Sequence, residues 1–422
     1  MPHLSLSANR RAVLLGLAGA TLASRGHAQA PVRAWPRASA LLADHVSARK
    51  VSGVSLAIRM GAAAPQFSNF GALAFDAAPA DEHTLWRIFS MSKPITGVAA
   101  LALAEEGKLS LSQPVSDFVP EFATLKVLET GATRPARTPM LVFHLFTHTA
   151  GLGYAINDAT PLAALYAEAV LLPGDPTRRA NAPQSLDAFG ARLATLPLGA
   201  DPGTRYEYSV GPDLLGLVIQ RASGMPFEAY LKARLFDPLG MNDTGFRANA
   251  QNAARLSQNY VVRGGVVAPL EPVGRSPYLT APAYPSGGGG LLSTAHDYDR
   301  FCAMLQNDGV LDGVRVLSRS TARRAHSNLL PPGVLADGGM KFGAGMGIVT
   351  RASAVARQEP PGAYGWAGAA GTLMWIDPVH RLSVVMMTQY MPSGAYPIWA
   401  ELKRAIYADL SGHSFSLSAA TR

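Results

Sequence analysis

The chain has 422 residues, of which 48% are hydrophobic and 16% are charged, and this composition is typical of a globular protein rather than a disordered or fibrous one. The formal net charge is +8, but the arginines are scattered singly or in pairs without interleaved aromatic residues, which argues against nucleic-acid binding. Cys302 is the single cysteine of the sequence, so no internal disulfide can form and thiolates are too few for a metal site. We expect no metal and no other cofactor.

The first 30 residues have the pattern of an export signal. Arg10 and Arg11 stand directly before the apolar run AVLLGLAGATLA, which is too short to span a bilayer, and the small-residue sequence AQA ends at Ala30. The paired arginines resemble a twin-arginine signal. We therefore expect a bacterial protein that is exported to the periplasm or secreted, and that is soluble without stable membrane association once the signal is removed. A plain secretory signal or an uncleaved anchor is the alternative.

The first predicted elements after this signal are a helix, two strands and a second helix. The sequence ASALLADHVSARK has helical spacing, residues 51–60 form a β-branched strand, and residues 71–75 are a plausible partner strand. Apolar residues at helical spacing predict a helix from Pro94 to Glu106, with Gly107 placed to cap its C-terminus. Ser90 then lies at or just before the first turn of this helix.

Residues from about 120 to 290 lack strand alternation and are rich in proline, glycine and short helical patterns. Two of these patterns are SLDAFGARLATL, starting at Ser185, and GPDLLGLVIQRASG, starting at Gly211 or Pro212. Near the end, GTLMWIDP and RLSVVMMTQY predict two strands joined by a turn at residues 378–381, and PIWAELKRAIYADL predicts a helix. No internal repeat is present.

These elements predict an α/β protein of the α+β type, in which an antiparallel sheet built from both chain ends is flanked by helices and joined to a mostly helical domain. Oligomeric state does not follow from the sequence. We expect four parts: a signal at 1–30, an α/β domain at 31–120 and 291–415, a mostly helical domain at 121–290, and a tail at 416–422.

The stretch WRIFSMSKPITG contains the arrangement Ser-x-x-Lys at Ser90 and Lys93. At a helix start these side chains lie on one face, and an ammonium in a partly dry pocket gives up its proton more easily, so the lysine can help to activate the serine. A second match, Ser47 to Lys50, follows a polar helix face where the helix dipole explains the lysine. The neighbours of Lys93 are apolar, which points to an interior rather than the alternative of a solvated helix start.

Five segments of the chain occur in the order found in one family: IFSMSKPITGVAALALAEEGKLSL, HLFTHTAGLGY, PGTRYEYSVGPDLLG, SGGGGLLSTAHDYDRF and YGWAGAAGTLMWIDP. With these segments the chain resembles the penicillin-recognising serine hydrolases, in particular the class C β-lactamase-like branch that includes the family VIII carboxylesterases. The resemblance extends over most of the chain after the signal. It implies the β-lactamase/transpeptidase-like fold.

The resemblance also implies roles for individual residues. Ser90 matches the family's nucleophile, and Lys93 matches its lysine partner. Tyr208 matches the tyrosine whose phenol takes the serine proton and later hands it to the leaving group. Trp366-Ala367-Gly368 stands where β-lactamases carry Lys-Thr-Gly on the strand beside the serine. The backbone amides of Ser90 and Ala369 would then form the oxyanion hole.

Other motifs favour different sites less strongly. No Gly-x-Ser-x-Gly occurs, so the sequence lacks the nucleophile elbow of the α/β-hydrolases. His144 and His148 have the spacing of a zinc-binding helix, but Leu145 stands where the metalloprotease glutamate belongs, and the resemblance makes His148 part of a structural turn. The residues from Gly288 to Gly290 resemble a loop near the site, although a structural turn explains them equally well.

Two departures from the family pattern carry the substrate hypothesis. Val210 stands where class C β-lactamases have an asparagine that bonds the lactam side-chain amide, and Trp366 replaces the lysine that meets the carboxylate of the drug. An apolar side chain cannot replace a buried amide contact, and an indole cannot replace a cation. A pocket containing Trp366, Gly368 and Val210 therefore suits small uncharged esters.

The sequence predicts a metal-independent serine carboxylesterase that cleaves short-chain acyl esters through an acyl-enzyme on Ser90. Its expected partner is a small-molecule ester. A β-lactam hydrolase or D-alanyl peptidase on the same site is the first alternative, and a non-catalytic protein that binds cell-wall fragments is the second. Transfer of the acyl group to an alcohol uses the same intermediate and stays open.

Overall fold

The centre of the fold is a seven-stranded antiparallel sheet in the computed structural model, which describes residues 35–156, 160–169, 181–272 and 274–412. The strands are β1 (Gly53–Met60), β2 (Gln66–Gly71), β3 (Trp86–Arg87), β4 (Lys126–Glu129), β5 (Ala132–Pro135), β6 (Tyr260–Arg263), β7 (Val266–Pro269), β8 (Leu292–Ser293), β9 (Val310–Leu311), β10 (Val314–Arg315), β11 (Lys341–Phe342), β12 (Gly347–Ile348), β13 (Tyr364–Ala367), β14 (Leu373–Asp377) and β15 (Leu382–Met387). The expected signal at 1–30 and the tail at 416–422 lie outside the described residues.

Helices surround this sheet and fill the middle of the chain. They are α1 (Pro36–Ser47), α2 (Ser92–Glu105), α3 (Val142–Phe146), α4 (Pro161–Ala169), α5 (Leu186–Ala194), α6 (Gly211–Ser223), α7 (Phe227–Leu231), α8 (Asp237–Leu239), α9 (Ala295–Gln306), α10 (Arg319–Ala325), α11 (Ala354–Arg357) and α12 (Ile398–Ser411). Within the part of the chain that the structure describes, no helix is both long enough and apolar enough to cross a membrane.

The order of strands in the large sheet is β11-β12-β13-β14-β15-β1-β2, with every neighbouring pair antiparallel. Strand β1, near the start of the chain, pairs with β15, near its end, so that Ser55 lies opposite Met387. The prediction of a sheet built from both chain ends is therefore confirmed. The domain boundaries at residues 120 and 290 stay a prediction.

Helices cover both faces of the sheet. Because successive side chains of a strand point to opposite faces, neighbouring residues of one strand belong to different apolar clusters. In β1, Leu56 belongs to the apolar cluster that α1 and α12 cover, whereas Ala57 belongs to the larger cluster beneath α2 and α9. In β15 the same alternation places Val384 in the first cluster and Val385 in the second. The sheet thus separates a layer formed by the terminal helices from the layer that contains α2.

The predicted partner of β1 at residues 71–75 is wrong by about five residues, because the partner strand is β2, Gln66–Gly71. The hairpin register places Gly71 opposite Gly53. Gly71 has a φ of +70°, which turns the chain out of the sheet. The residues that follow lie over the start of β1, where an ideal Cβ on Gly53 would be 2.4 Å from the carbonyl oxygen of Ala72.

The middle of the chain contains the predicted helices, and it also contains small hairpins that the sequence did not predict. Helix α5 starts after Ser185, whose hydroxyl accepts a hydrogen bond from the amide of Ala188 at 3.0 Å. Helix α6 starts at Gly211, as predicted. The additional hairpins are β4–β5 and β6–β7, whose four-residue strands are too short to give a period-two signal.

Candidate active site

The start of α2 presents the Ser-x-x-Lys pair. Ser90 lies in a single 3-10 turn, Phe89–Met91, that leads into α2, and Lys93 lies in the first turn of α2 itself. Lys93 Nζ donates a hydrogen bond to Ser90 Oγ at 2.9 Å. Phe89, directly before the serine, has a φ of +43°. A bulky residue in this left-handed region is a strained outlier of the kind that collects at functional sites.

Tyr208 reaches the same serine from the segment before α6. Its hydroxyl donates a hydrogen bond to Ser90 Oγ at 2.7 Å. The Tyr208 ring packs against His148, with 4.6 Å between ring centroids, and Lys93 Nζ lies 4.7 Å from the Tyr208 ring centroid. A cation over an aromatic face is attracted by the ring quadrupole. The structure therefore brings the three predicted residues, Ser90, Lys93 and Tyr208, into one hydrogen-bonded group.

The glycine-rich loop at 286–291 also lies at this group. Lys93 Nζ donates a second hydrogen bond, at 2.6 Å, to the carbonyl oxygen of Gly288. Lys93 is 1% exposed, so its ammonium exchanges water for these acceptors. The loop therefore lies at the site, as the resemblance of the residues from Gly288 to Gly290 predicted.

The two histidines with zinc-like spacing make local hydrogen bonds instead. His144 Nδ1 accepts from the amide of Leu141 at 3.1 Å, and burial lowers the pKa of His144 to about 4. His148 Nδ1 accepts from the amide of Ser209 at 3.1 Å. Burial, with the nearby Lys93 charge, keeps the pKa of His148 well below its usual value. Across the described ranges, no group of three or more His, Cys, Asp or Glu side chains could hold a metal ion.

Two backbone amides near the serine hydroxyl have no acceptor among the residues that the structure describes. Neither the amide of Ser90 nor that of Ala369 donates a hydrogen bond to another residue in the described part of the chain. Gly368 brings these two segments together, because an ideal Cβ on Gly368 would lie only 2.4 Å from the carbonyl oxygen of Ile88. Free amides on two adjacent backbone segments are the arrangement that can hold an oxyanion.

The predicted pocket residues differ in how they face the serine. Trp366, on β13, is partly exposed, and its ring centroid is 5.9 Å from that of Tyr208 and 5.1 Å from that of Phe342. Trp366 packs on an apolar cluster that includes Met340 and Phe342. Val210, in contrast, is 2% exposed and belongs to the main core. Val210 offers little surface to a ligand, and its place in the substrate pocket stays a prediction.

A separate cleft lies near the other end of α2. It has a volume of about 540 Å³ and its lining includes Ala104, Leu109, Phe143 and Arg324. Ala104 is in the last turn of α2, whereas Ser90 precedes the first turn. The cleft therefore contains none of the reacting groups, although its volume is in the range of small-molecule sites.

Sequence reasoning missed Asp213, which lies five residues after Tyr208. Asp213 is 4% exposed, and its Oδ1 accepts hydrogen bonds from the Ser286 hydroxyl and, at 3.2 Å, from the Gly288 amide. Burial raises the pKa of Asp213 above its usual value. In the sequence, an aspartate in the first turn of a helix is typical of a partner for the helix dipole. Its position in PGTRYEYSVGPDLLG was the one signal that could have found it.

The group can carry out covalent acyl chemistry. Ser90 Oγ lies within hydrogen-bond distance of both an amine and a phenol. This is the arrangement of a nucleophile with a proton acceptor that a third group orients. The amides of Ser90 and Ala369, which have no acceptor within the described ranges, lie on two segments that meet where Gly368 approaches Ile88.

Comparison with known proteins tests the family resemblance of the sequence. The family model named Beta-lactamase matches residues 38–408. Protein Rv1367c of Mycobacterium tuberculosis (strain ATCC 25618 / H37Rv) is 36% identical over 339 residues, which covers 74% of this chain and 79% of that protein. Esterase EstB of Burkholderia gladioli is 32% identical over 363 residues, which covers 78% of this chain and 84% of that protein.

Solved structures extend the comparison to three dimensions. The structure of "EstCE1, a hydrolase with promiscuous acyltransferase activity" has a TM-score of 0.73 and 25% sequence identity, and the match covers 88% of this chain and 98% of that chain. Penicillin-binding protein homologues share the same fold. The predicted β-lactamase/transpeptidase-like fold is therefore confirmed. Since the family model and relatives of this identity span most of the sequence, the chain belongs to the β-lactamase family, as its five sequence segments predicted.

Proposed function

We propose that the protein is a serine carboxylesterase that cleaves short-chain acyl esters through an acyl-enzyme on Ser90. One observation carries the proposal: Ser90 Oγ accepts hydrogen bonds from Lys93 Nζ at 2.9 Å and from the Tyr208 hydroxyl at 2.7 Å. A serine hydroxyl is a weak nucleophile unless a neighbouring base takes its proton. Both neighbours are close enough to do so.

Acylation starts from the form in which the Lys93–Tyr208 pair has already lost one proton to solvent and can act as a base. Ser90 Oγ then forms a bond to the acyl carbon while its proton passes to this pair. The carbonyl oxygen becomes an oxyanion, which the amides of Ser90 and Ala369 stabilise. The ester C–O bond then breaks, and Tyr208 returns the proton to the departing alcohol. A water molecule repeats the sequence on the acyl-enzyme, which releases the acid and restores Ser90.

The surroundings of the serine support an uncharged substrate. Trp366 presents an indole on the strand beside Ser90, and the cluster behind it is apolar. Apolar surface is favourable for acyl chains and simple alcohols, whereas a carboxylate needs a charged or hydrogen-bonding partner. The names of two relatives agree, because EstB is called an esterase and EstCE1 is called a hydrolase.

Acyl transfer to an alcohol is the second candidate function, favoured by the promiscuous acyltransferase activity that is ascribed to EstCE1. The acyl-enzyme would be attacked by an alcohol instead of water, with the same proton acceptor and the same amides. An apolar wall at Trp366 favours an alcohol over water at this step. Adding a primary alcohol to the esterase assay tests this, since transfer yields a new ester in proportion to alcohol concentration.

Labelling with a fluorophosphonate tests the acyl-enzyme directly. The reagent should attach to one serine per chain, and Ser90→Ala should abolish both labelling and esterase activity. Ser47→Ala is the matched control, because Ser47 also begins a Ser-x-x-Lys sequence but lies exposed at the end of α1, where its hydroxyl donates to the Asp44 carbonyl. Full esterase activity in Ser90→Ala would refute the mechanism.

We also propose that the protein is exported, with cleavage after Ala30. The support is the sequence pattern of a charged start, a short apolar run and AQA before the cleavage position. N-terminal sequencing of protein recovered from the periplasm or medium of an expressing bacterium tests this. The mature chain should begin at Pro31, and Arg10→Lys with Arg11→Lys should retain the precursor in the cytoplasm if the route is the twin-arginine one. Unprocessed protein in the cytoplasm of the wild type would refute export.

A further inference from the structure

A buried carboxylate lies behind the reacting groups, on the helix that follows Tyr208. Asp213 is in the first turn of α6 and is only 4% exposed. Its Oδ1 accepts hydrogen bonds from the Ser286 hydroxyl and the Gly288 amide. Burial of a carboxylate costs free energy unless hydrogen bonds or an opposite charge compensate. Position in a helix first turn does not by itself account for an aspartate so completely enclosed.

The loop that Asp213 holds is the one that contacts Lys93. The Gly288 carbonyl accepts from Lys93 Nζ at 2.6 Å, and the Gly287 carbonyl accepts from the Thr96 hydroxyl at 2.8 Å. Lys93 and Thr96 are adjacent on one face of α2, because residues three apart on a helix are neighbours. The 286–291 loop is therefore fixed to α2 on one side and to Asp213 on the other.

The approach of α6 to this loop leaves no space for side chains. An ideal Cβ on Gly288 would lie 2.4 Å from Asp213 Oδ2, and one on Gly287 would lie 2.4 Å from the carbonyl oxygen of Pro212. Real Cβ atoms essentially never make contacts this short, and at Gly287 the obstructing atom belongs to the backbone, so that position needs glycine. The loop's position is thus set by the first turn of α6 as well as by α2.

We infer that Asp213 is a positioning residue for the chemistry at Ser90: its carboxylate holds the 286–291 loop where the Gly288 carbonyl takes one hydrogen of Lys93 Nζ and directs another to Ser90 Oγ. This inference rests on the proposed function of Ser90 and Lys93. A lysine ammonium rotates freely about its flexible side chain, so a single acceptor does not fix its direction. Two acceptors, the Gly288 carbonyl at 2.6 Å and Ser90 Oγ at 2.9 Å, fix the direction of Lys93 Nζ.

Asp213 also acts through its charge. Ionisable groups face it from three elements: Lys93 from α2, and the phenols of Tyr154 and Tyr284 from two loops. Burial raises the pKa of Asp213, while the Ser286 hydrogen bond and then the Lys93 charge oppose that rise. The carboxylate and the ammonium attract each other. Removing the carboxylate's charge takes a negative charge away from the reacting groups and should therefore shift the pH dependence of the rate to lower pH.

Three variants separate hydrogen bonding from charge. Asp213→Asn keeps an oxygen that can accept from Ser286 and Gly288 but removes the charge, whereas Ser286→Ala removes one hydrogen bond and keeps the charge. Asp187→Asn is the matched control, because Asp187 is also in the first turn of a helix, α5, but its side chain is 53% exposed. The readouts are kcat, KM and their pH dependence on a butyrate ester, together with fluorophosphonate labelling and thermal unfolding.

Asp213→Asn should lower kcat by roughly 10- to 100-fold, the effect of losing the charge that strengthens the hydrogen bonds holding the 286–291 loop. KM should stay within about threefold of the wild type, because no substrate contact is removed. The ascending limb of the pH–rate profile should move to lower pH. Ser286→Ala should lower kcat by a smaller factor without moving that limb, and Asp187→Asn should match the wild type in all readouts.

The outcomes distinguish this inference from the proposed function. Wild-type kcat and pH profile in Asp213→Asn would overturn the positioning role, while Ser90 labelling would still support the esterase. If Asp213→Asn does not fold, Ser286→Ala decides: a lower kcat at unchanged KM supports the role, and an unchanged kcat overturns it. Absence of labelling at Ser90 in the wild type would instead refute the proposed function itself.

Discussion

Replacing Tyr208 by phenylalanine removes one oxygen atom from the site and leaves the ring in place. The ring packs against His148 at 4.6 Å and Trp366 at 5.9 Å between centroids, and Lys93 Nζ lies 4.7 Å from its centre. Phenylalanine can make all three contacts. The fold should therefore be retained, and the variant isolates the phenol oxygen that lies 2.7 Å from Ser90 Oγ.

The expected loss can be worked from that one contact. Proton transfer by a positioned side chain contributes roughly 10²- to 10⁴-fold to a rate, which corresponds to about 2.7 to 5.4 kcal/mol of transition-state stabilisation. The same hydrogen bond contributes only about 0.5 to 1.5 kcal/mol to folding. Tyr208→Phe should therefore lower kcat by at least two orders of magnitude and change the free energy of unfolding little.

The assay measures kcat and KM on a butyrate ester, with urea unfolding of the same preparations. Tyr206→Phe is the control, because Tyr206 lies in the same segment and its ring packs on His148 and Phe342, at 5.7 Å and 5.5 Å between centroids. Tyr206→Phe should keep kcat near the wild-type value. A Tyr208→Phe enzyme that retained more than about a tenth of wild-type kcat would refute the role of the phenol as proton carrier.

Three further predictions concern Lys93, Trp366 and His144. The esterase rate should rise from neutral to alkaline pH, and Lys93→Arg should be nearly inactive because arginine cannot give up its proton. Near-normal turnover in Lys93→Arg would show that Lys93 contributes only its positive charge. For the wild type, kcat/KM on a butyrate ester should exceed that on a chromogenic cephalosporin. One lost charge-assisted contact at Trp366 and one lost amide hydrogen bond at Val210 lower lactam efficiency by roughly two to three orders of magnitude relative to a true lactamase. A lactam value equal to the ester value would make lactam hydrolysis the better assignment, and Trp366→Lys should narrow the difference. Burial lowers the pKa of His144 to about 4, so the unfolded chain takes up a proton first as pH falls. The stability that is present above about pH 6.5 should therefore be lost towards pH 4. His144→Gln should weaken this pH dependence of the urea midpoint, and an unchanged pH dependence in that variant would contradict the role of His144.

The sequence predicted the part of the site that depends on local spacing or on the family's motifs. Ser90 and Lys93 are three residues apart at a helix start, so their contact follows from helix geometry. Tyr208 is far away in the chain, and only the motif around it indicated that it reaches the serine. The contact of Lys93 with the Gly288 carbonyl depends on how a loop meets two helices, which no local pattern encodes.

In the fold, too, elements with a strong local pattern were predicted and elements that depend on tertiary contacts were not. Strands β14 and β15 have long apolar runs and a clear turn between them, so their bounds were predicted closely. The partner of β1 was misplaced, because β2 is partly exposed and its apolar residues, such as Phe67 and Phe70, do not alternate cleanly. Its end depends on the φ of Gly71, a backbone property set by tertiary contacts. Short strands held by such contacts cannot be located from periodicity alone.

The pairing of β1 with β15 has a consequence for synthesis of the chain. Ser55 must find Met387, so the β1 edge of the nascent hairpin β1–β2 stays unpaired until almost the whole sequence has left the ribosome. At a typical elongation rate this interval lasts roughly 15 to 60 s. An unpaired strand edge of this kind is prone to aggregate, and contacts so distant in sequence form slowly. We therefore expect the first strands of this protein to be exposed to pairing with other chains for tens of seconds during synthesis.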